Sequence, residues 1–235
     1  MIGAIVLAGG RGKRMQAGIN KQYLQIDKRS VLSYAIESMA TVAQEIIVVA
    51  AAGEESAAQG AIQESGVAET RCQIVIGGKE RQDSVRHALL AMPETWEKVL
   101  IHDGARPFVP SDMIWRLLEA VEPNVGAIPG IPVSDTIKRI DEAGFVVETP
   151  PRHMLRAAQT PQCFLAQEIK ALHLEAEKAA LLFTDDAAIY EYGGKRIRMV
   201  EGDRMSKKLT VQNDLIEVNQ LKTQWEVEHE SRTGV

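Results

Sequence analysis

The chain has little cysteine, no excess of positive charge and no long apolar run, and each of these features argues against a class of protein. Its two cysteines, Cys72 and Cys163, lie far apart and form no CxxC motif, which argues against a disulfide scaffold or a zinc site. The formal net charge of −5 argues against a general nucleic-acid-binding protein, because such proteins carry a basic face toward phosphates. No stretch approaches the ~18 consecutive apolar residues of a membrane span, and residues 1–8 lead into a glycine-rich loop without a signal-peptide cleavage region. We therefore expect a cytoplasmic protein that binds neither nucleic acid nor a membrane.

Several familiar catalytic signatures are also absent from the sequence. There is no H-E-x-x-H motif and no G-x-S-x-G motif, and the five histidines are scattered. His102 lies next to Asp103, but neighbouring residues of a strand point to opposite faces, so we assign His102 a structural role.

Alternating apolar and amphipathic segments predict an α/β fold. The length of 235 residues, with 45% hydrophobic and 25% charged residues, suits one domain spanning residues 1–235. Short apolar runs rich in β-branched residues predict buried strands at 2–7, 45–50, 73–76, 99–102 and 125–128. Helical spacing predicts helices at 31–39, 54–64, 84–90 and 112–121. This alternation is typical of βαβ units, which form a mainly parallel sheet with helices on both faces.

The region after residue 130 departs from this alternation. Residues 136–140, a turn at 141–144 and residues 145–149 predict a β-hairpin that ends at Pro150 and Pro151. Because an isolated hairpin is only marginally stable in water, we expect it to pack on a partner subunit. Helical patterns follow at 166–181, 185–192 and 212–221, and the polar residues 226–235 are expected to be frayed.

The loop after the first predicted strand combines glycines with cations. Residues 7–15 read LAGGRGKRM, and Lys21 follows after a short connection. Glycines let the backbone approach a ligand closely, and three cations within four positions indicate a dense anion such as a triphosphate. The spacing does not fit a Walker A loop, and Met15 stands where a dinucleotide-binding motif needs its third glycine. The alternative interpretation is a solvated basic turn.

The loop at 77–84, which reads GGKERQDS, follows a strand and opens a helix. Backbone amides at such a helix start suit an anion or the polar edge of a base. The alternative is a plain Gly-Gly turn in which Asp83 or Ser84 caps the helix.

The loop at 102–107, which reads HDGARP, places an acid and a base at the end of a strand. Asp103 is a candidate ligand of Mg²⁺, which typically binds one or two carboxylates together with substrate phosphates. Arg106 could bind a second phosphate through both arms of its guanidinium. The alternative is a local salt bridge between Asp103 and Arg106. Because the carboxyl ends of parallel strands share one edge of a sheet, we expect the three loops to meet there.

Further candidate polar residues lie later in the chain. Two groups of these candidates have simple structural alternatives. Thr184 or Asp185 could be a helix cap, and paired lysines near a chain end, such as Lys207 and Lys208, are often solvated. The candidates are Asp135, Thr136, Arg152, residues 159–162, Thr184, Asp185, Asp186, Lys207, Lys208 and Thr210.

Taken together, these loops resemble the 2-C-methyl-D-erythritol 4-phosphate cytidylyltransferases of the non-mevalonate isoprenoid pathway. The motifs that carry the resemblance are LAGGRGKRM, KQY at 21–23, GGKERQDSV, HDGARPF, PVSDTIKR at 132–139, QTPQCF at 159–164, TDDAA at 184–188 and KKLT at 207–210. The resemblance implies a Rossmann-like nucleotidyltransferase fold with a protruding β-arm at about 136–152. It also implies CTP and methylerythritol phosphate as substrates, Mg²⁺ or a similar divalent cation as cofactor, and a homodimer formed through the arm.

The resemblance also assigns roles to individual residues. Arg14, Lys21 and Lys208 match the catalytic cations around the triphosphate. The positions that match the nucleotide site are Ala8, Gly9, Gly10, Gly12, Gly78, Lys79 and Ser84. Those that match the acceptor site are Asp103, Arg106, Thr136, Arg152, Thr160 and Thr184, with Asp103 also near the metal. The stretch at 203–207 departs from the family pattern, which leaves no role assigned to Asp203 or Lys207.

The implied reaction needs no general base. A phosphate monoester has a second pKa of about 6, so the acceptor phosphate is largely ionised near neutral pH and can attack the α-phosphorus of CTP. Catalysis then consists of positioning and electrostatic stabilisation. The rival hypotheses are a ribitol 5-phosphate cytidylyltransferase, a catalytically silent nucleotide-binding subunit, and a glycosyltransferase, which would be expected to carry a D-x-D motif that is missing here.

Overall fold

A mainly parallel sheet forms the centre of the computed structural model, which describes residues 1–9, 20–210 and 214–233. The strands are β1 (Ile2–Leu7), β2 (Gln25–Ile26), β3 (Arg29–Ser30), β4 (Glu45–Ala50), β5 (Cys72–Ile76), β6 (Lys98–Asp103), β7 (Val125–Pro132), β8 (Arg139–Ile140), β9 (Val146–Glu148), β10 (Arg156–Ala158), β11 (Gln162–Leu165) and β12 (Arg196–Glu201). The helices are α1 (Val31–Ala40), α2 (Glu55–Glu64), α3 (Arg81–Ala91), α4 (Ser111–Ala120), α5 (Ala166–Lys178), α6 (Asp186–Tyr192) and α7 (Asp214–Thr233). Short 3₁₀ turns lie at Lys21–Tyr23, Glu69–Arg71 and Arg152–Met154.

The order of the strands confirms the predicted α/β fold. The main sheet runs β10-β7-β11-β6-β1-β4-β5, and β12 pairs in parallel with β7. The pairs β1–β4, β1–β6 and β4–β5 are parallel, whereas β11 is antiparallel to β6 and β7. The carboxyl ends of β1, β4, β5 and β6 therefore share one edge, as the sequence predicts for the loops that follow them.

The alternation of side chains along β1 explains why helices cover both faces of this sheet. Ala4 and Val6 pack into one apolar cluster with residues of α1, α2 and α4. Ile5 and Leu7 point the other way and pack with residues of α3, α5 and α6. Successive side chains of a strand point to opposite faces, so a strand buried on both sides is apolar throughout.

Three strands of the main sheet were not predicted, and the helices differ from their predicted bounds, most of all at the start of α3 and the end of α7. The missed strands are β10, β11 and β12; β10 is exposed throughout, and β11 has only four residues. Helix α3 begins at Arg81 rather than residue 84. The prediction missed its first turn because the residues of that turn are polar. The expected fraying of residues 226–235 was wrong over most of that range, since α7 continues to Thr233.

The predicted hairpin is present as a separate two-stranded sheet formed by β8 and β9. Every residue of 134–149 is exposed, so this arm stands away from the rest of the described chain. The sequence predicted the arm correctly but placed longer strands in it. Among the described residues, no helix has the length and apolar character needed to cross a membrane.

Candidate active site

A cleft of about 680 Å³ lies at the carboxyl edge of the sheet. It brings together loops that follow β1, β4, β5 and β6. The predicted site residues that line it are Gly9, Lys21, Gly78, Lys79, Ser84, Asp103 and Lys208. Segments from the first and last parts of the described chain thus line one cleft.

Asp103 ends β6 and places a carboxylate at the cleft. Its Oδ2 accepts a hydrogen bond from Lys208 Nζ at 2.6 Å, and its Oδ1 lies 3.4 Å from Arg81 Nε. Burial alone would raise the pKa of Asp103, but Arg81 and Lys208 hold that pKa well below its usual range. Asp103 is therefore ionised, with Lys208 and Arg81 as its partners. Arg106, its partner in the alternative considered above, donates instead to the Ser206 carbonyl at 2.6 Å.

A buried chain of hydrogen bonds holds the loop behind Asp103. The Asp103 amide donates to Thr160 Oγ1 at 3.1 Å, and that hydroxyl lies 3.0 Å from His102 Nδ1. His102 Nε2 lies 2.9 Å from the Arg106 carbonyl, which can only accept, so Nε2 carries the proton and Nδ1 accepts from Thr160. Burial lowers the pKa of His102 to about 4, although the Arg106 carbonyl and Asp103 act in the opposite direction. His102 is thus a neutral structural residue, as predicted.

The glycine-rich turn at 77–84 is shaped by its own polar side chains. Ser84 Oγ accepts from the Gly78 amide at 3.1 Å and donates to the Glu80 carbonyl at 3.1 Å. Asp83 accepts from the Glu80 amide at 3.1 Å, which closes a capping box at the start of α3 with Glu80 as the N-cap residue. A Cβ atom on Gly78 would lie 2.2 Å from the Asp83 Cβ, so the turn requires glycine there. The loop therefore both closes a capping box at the start of α3 and lines the cleft.

The other predicted site residues lie elsewhere or outside the described residues. Ala8 is fully buried and donates its amide to the Val49 carbonyl at 2.8 Å. Thr160 is 6% exposed, whereas Thr136, Arg152 and Thr184 are exposed. Asp185, rather than Thr184, caps α6 through a bond from the Ala188 amide. Arg106, Ala8, Thr136, Arg152, Thr160 and Thr184 are not among the residues that line the cleft. Gly10, Gly12 and Arg14 lie outside the described residues.

Arg81 is the main residue that the sequence reasoning missed. It is the first residue of α3, it lines the cleft, and its guanidinium reaches both Asp103 and Asp186. The motif at 77–85 contained it, but nothing local to that motif indicated a partner far along the chain.

The cleft and its sheet match one family over nearly the whole chain. The model of the 2-C-methyl-D-erythritol 4-phosphate cytidylyltransferase family, IspD, matches residues 2–223. The chain belongs to this family. A cytidylyltransferase of that name from Alkaliphilus metalliredigens is 40% identical over 215 residues, covering 90% of this chain and 89% of the relative. One from Geotalea uraniireducens is 39% identical over 218 residues, covering 91% of this chain and 93% of the relative.

Solved structures of the IspD family share the fold. The crystal structure of 4-diphosphocytidyl-2C-methyl-D-erythritol synthase from Anaerococcus prevotii is 27% identical, has a TM-score of 0.83, and covers 94% of this chain and 96% of its own. The Thermus thermophilus enzyme is also 27% identical, with a TM-score of 0.75 over 93% of this chain and 98% of its own. The chain is therefore a nucleotidyltransferase of isoprenoid biosynthesis, and the matches favour methylerythritol phosphate over the ribitol phosphate and silent-subunit alternatives.

Proposed function

We propose that the cleft binds CTP and transfers CMP to the phosphate of 2-C-methyl-D-erythritol 4-phosphate. The products are 4-diphosphocytidyl-2-C-methyl-D-erythritol and pyrophosphate. The observation that carries this proposal is the convergence of two glycine-containing loops, Lys21, Lys208 and Asp103 on one cleft. Such a site offers backbone groups for a nucleotide and cations for its phosphates.

Gly9, Gly78, Lys79 and Ser84 are proposed to hold the cytidine. The turn at 77–84 presents its backbone to the cleft, and the bonds of Ser84 to both sides of that turn keep it in one shape. Backbone groups held in a fixed geometry can select one base by the pattern of its polar edge. The fixed shape of this turn therefore supports a role in base recognition. Ala8, Gly10 and Gly12 stay predictions for the same nucleotide.

The chemistry proposed for the cleft is in-line attack on the α-phosphorus. The acceptor phosphate supplies the attacking oxygen, and the P–O bond to the β-phosphate breaks as pyrophosphate leaves. Negative charge grows on the oxygens of the transferring group, and Lys21 and Lys208 lie where they could stabilise it. Arg14 is predicted to contribute to the same step.

Mg²⁺, or a similar divalent cation, is the proposed cofactor. The donor set fits an ion that arrives with the triphosphate, since Mg²⁺ typically binds one or two carboxylates plus substrate phosphates. Asp103 is ionised and reaches the cleft. No cluster of three or more acidic, histidine or cysteine side chains suited to a metal occurs in residues 1–9, 20–210 and 214–233, which argues against a cage made by the protein alone. When bound, Mg²⁺ would neutralise phosphate charge, while Asp103 would hold it.

The acceptor site is proposed to need a second copy of the chain. Thr136 and Arg152 flank the arm and are exposed, and Arg152 contacts the Ser134 carbonyl at 2.7 Å. The arm exposes a set of apolar side chains that a second copy would cover, consisting of Ile137, Ile140, Phe145, Val146, Val147 and Met154. We therefore propose a homodimer through the arm, with Arg106, Thr136, Arg152, Thr160 and Thr184 serving the methylerythritol phosphate. A cytoplasmic location also stays a proposal, in keeping with two free cysteines.

The test of the proposed function is pyrophosphate release by the purified protein with CTP and Mg²⁺. Methylerythritol 4-phosphate and ribitol 5-phosphate are compared as acceptors at equal concentrations. We expect release with methylerythritol 4-phosphate alone. Release with ribitol 5-phosphate alone would move the chain to the rival substrate, and release with neither would favour a silent nucleotide-binding protein.

A further inference from the structure

A charged cluster lies behind the cleft, and the mechanism above does not use it. Asp186 begins α6, His173 lies within α5, and both residues are fully buried. Neither lines the cleft. Removing a carboxylate from water costs free energy unless its partners compensate for the lost hydration. The burial of Asp186 therefore requires an explanation.

Arg81 links the buried carboxylate of Asp186 to the carboxylate of Asp103 at the cleft. Its Nη1 lies 2.8 Å from Asp186 Oδ2, and its Nε lies 3.4 Å from Asp103 Oδ1. A guanidinium is planar and rigid, so fixing one end of it sets the direction of the other. The contact with Asp186 is an ion pair at the shorter distance and lies out of water, where charge attraction is strong, so we treat Asp186 as the anchor of the guanidinium.

Asp186 is itself fixed from the opposite side. His173 Nε2 lies 3.1 Å from Asp186 Oδ1, so the two oxygens of this carboxylate face one partner each. Burial would raise the pKa of Asp186, but Arg81 and His173 lower it, which keeps the anchor charged. The orientation of Arg81 therefore depends on groups that the solvent does not reach.

Gln82 reinforces the same connection. Its side chain donates to the Leu181 carbonyl at 2.9 Å and accepts from the Phe183 amide at 2.9 Å. The start of α3, which borders the nucleotide cleft, is thus joined to the loop that leads to Thr184. The cluster couples two parts of the chain that are proposed to hold different substrates.

We propose that Arg81 is a positioning residue, anchored by Asp186, that holds the Asp103 carboxylate in the geometry needed for CMP transfer. This inference rests on the proposed role of Asp103. Asp186 acts only through Arg81, and His173 acts only through Asp186.

The test compares Arg81→Met, Asp186→Asn and the double variant by their kcat, KM for CTP and Tm. Arg81→Met leaves a buried carboxylate without its cation and should lower Tm, whereas the double variant removes that charge and should recover Tm. We expect Asp186→Asn to lower kcat by about tenfold or more, because small misplacements of reacting groups are costly. Its KM for CTP should change by less than about twofold, since the lost interaction acts in the transition state.

The decisive result is the double variant, because it separates stability from positioning. If Asp186 acts through Arg81, the double variant regains Tm but keeps the kcat of Arg81→Met, so the two effects on kcat are not additive. A double variant that regains wild-type kcat together with Tm would overturn the proposal, as would a wild-type kcat for Asp186→Asn.

Two controls make the result specific. Glu168→Gln removes a contact with Lys195 at 3.1 Å, and a bond from the Tyr190 hydroxyl, between α5 and the neighbourhood of α6, but it does not touch Arg81. Its kcat should stay within about twofold of the wild type, because neither Glu168 nor Lys195 lines the cleft. Asp103→Asn tests the underlying role, since wild-type kcat for that variant would overturn the role of Asp103 and this inference with it. An inactive Asp103→Asn beside a fully active double variant would overturn the positioning role alone.

Discussion

The nucleotide cleft and the β-arm are built in opposite ways, although both are proposed to serve one reaction. In the cleft, Asp103 is held by Lys208, Arg81 and the buried bonds of Thr160 and His102. In the arm, every residue of 134–149 is exposed. The cleft is therefore preorganised by contacts within one chain, whereas the arm is not buried against the rest of its own chain.

This difference indicates where each side of the reaction can be disturbed. Changes in the cleft should act on the chemical step or on the stability of the chain. Changes in the arm should act on acceptor binding and on assembly, with little effect on folding.

Replacing Lys21 with alanine should produce the largest loss. Removal of one group that stabilises transition-state charge typically lowers kcat by about 10²–10³-fold. The variant should keep the wild-type Tm and bind CTP, as measured by thermal shift and calorimetry. Lys178→Ala, an exposed position at the end of α5, is the matched control. Near-normal turnover by Lys21→Ala would remove this residue from the mechanism.

Acidification should lower the free energy of unfolding of the chain through His102. Its folded-state pKa of about 4 lies below the usual value of 6.5 for histidine, so between these pH values the unfolded chain binds a proton that the folded chain does not bind. Stability should fall as the pH drops from about 6.5 to about 4, by up to about 3 kcal/mol from this residue. Urea unfolding across this pH range measures the loss, and His102→Asn should flatten the dependence. An equally steep dependence in that variant would contradict the assignment.

Arg152→Ala should affect the acceptor alone. We expect the KM for methylerythritol 4-phosphate to rise by about tenfold, equivalent to about 1.4 kcal/mol, with the KM for CTP unchanged. Arg139 is the control, because it is also an exposed arginine of the arm and pairs with Glu148 at 2.8 Å. A similar change for Arg139→Ala would show a general charge effect rather than a specific contact.

Phe145→Ser should have the smallest effect on folding. The side chain is 73% exposed, so its loss should change the unfolding free energy of the separated chain by less than about 0.5 kcal/mol. The proposed homodimer should nevertheless dissociate at higher protein concentration than that of the wild type, as followed by analytical ultracentrifugation. Tyr192→Ser, at a position 56% exposed on α6, should leave assembly unchanged. Equal dissociation of both variants would place the interface elsewhere.

The central strands and the three loops could be predicted because their signals are local. Strands β1 and β4 have the predicted bounds, since buried parallel strands are continuously apolar. The antiparallel strand β11 was missed because its four residues lie directly before a helix, so they gave no separate pattern. The exposed β12 was missed because its sequence alternates charged and apolar residues without a long apolar run.

The site was predicted as a set of loops but not as a network of partners. Lys208 and Asp103 were both selected, yet their contact at 2.6 Å joins distant parts of the chain. Arg81 and Asp186 are likewise far apart in sequence, and each looks like an ordinary first residue of a helix. Tertiary pairing of this kind has no signature in one sequence. Single-domain organisation and the roles assigned to Arg14, Gly10 and Gly12 stay predictions.

In the proposed homodimer, the cleft of one chain works with the arm of the other. The most direct measurement mixes Lys21→Ala and Arg152→Ala proteins, allows the subunits to exchange, and records pyrophosphate release. The acceptor is kept well below its KM, where the tenfold rise in KM leaves the Arg152→Ala protein with about a tenth of wild-type activity. Random pairing makes half of the dimers mixed, and in each of these one site would combine an intact cleft with an intact arm. We predict recovery toward about a quarter of wild-type activity. Activity no greater than the sum of the two separate variants, despite confirmed exchange, would show that each chain completes its own site.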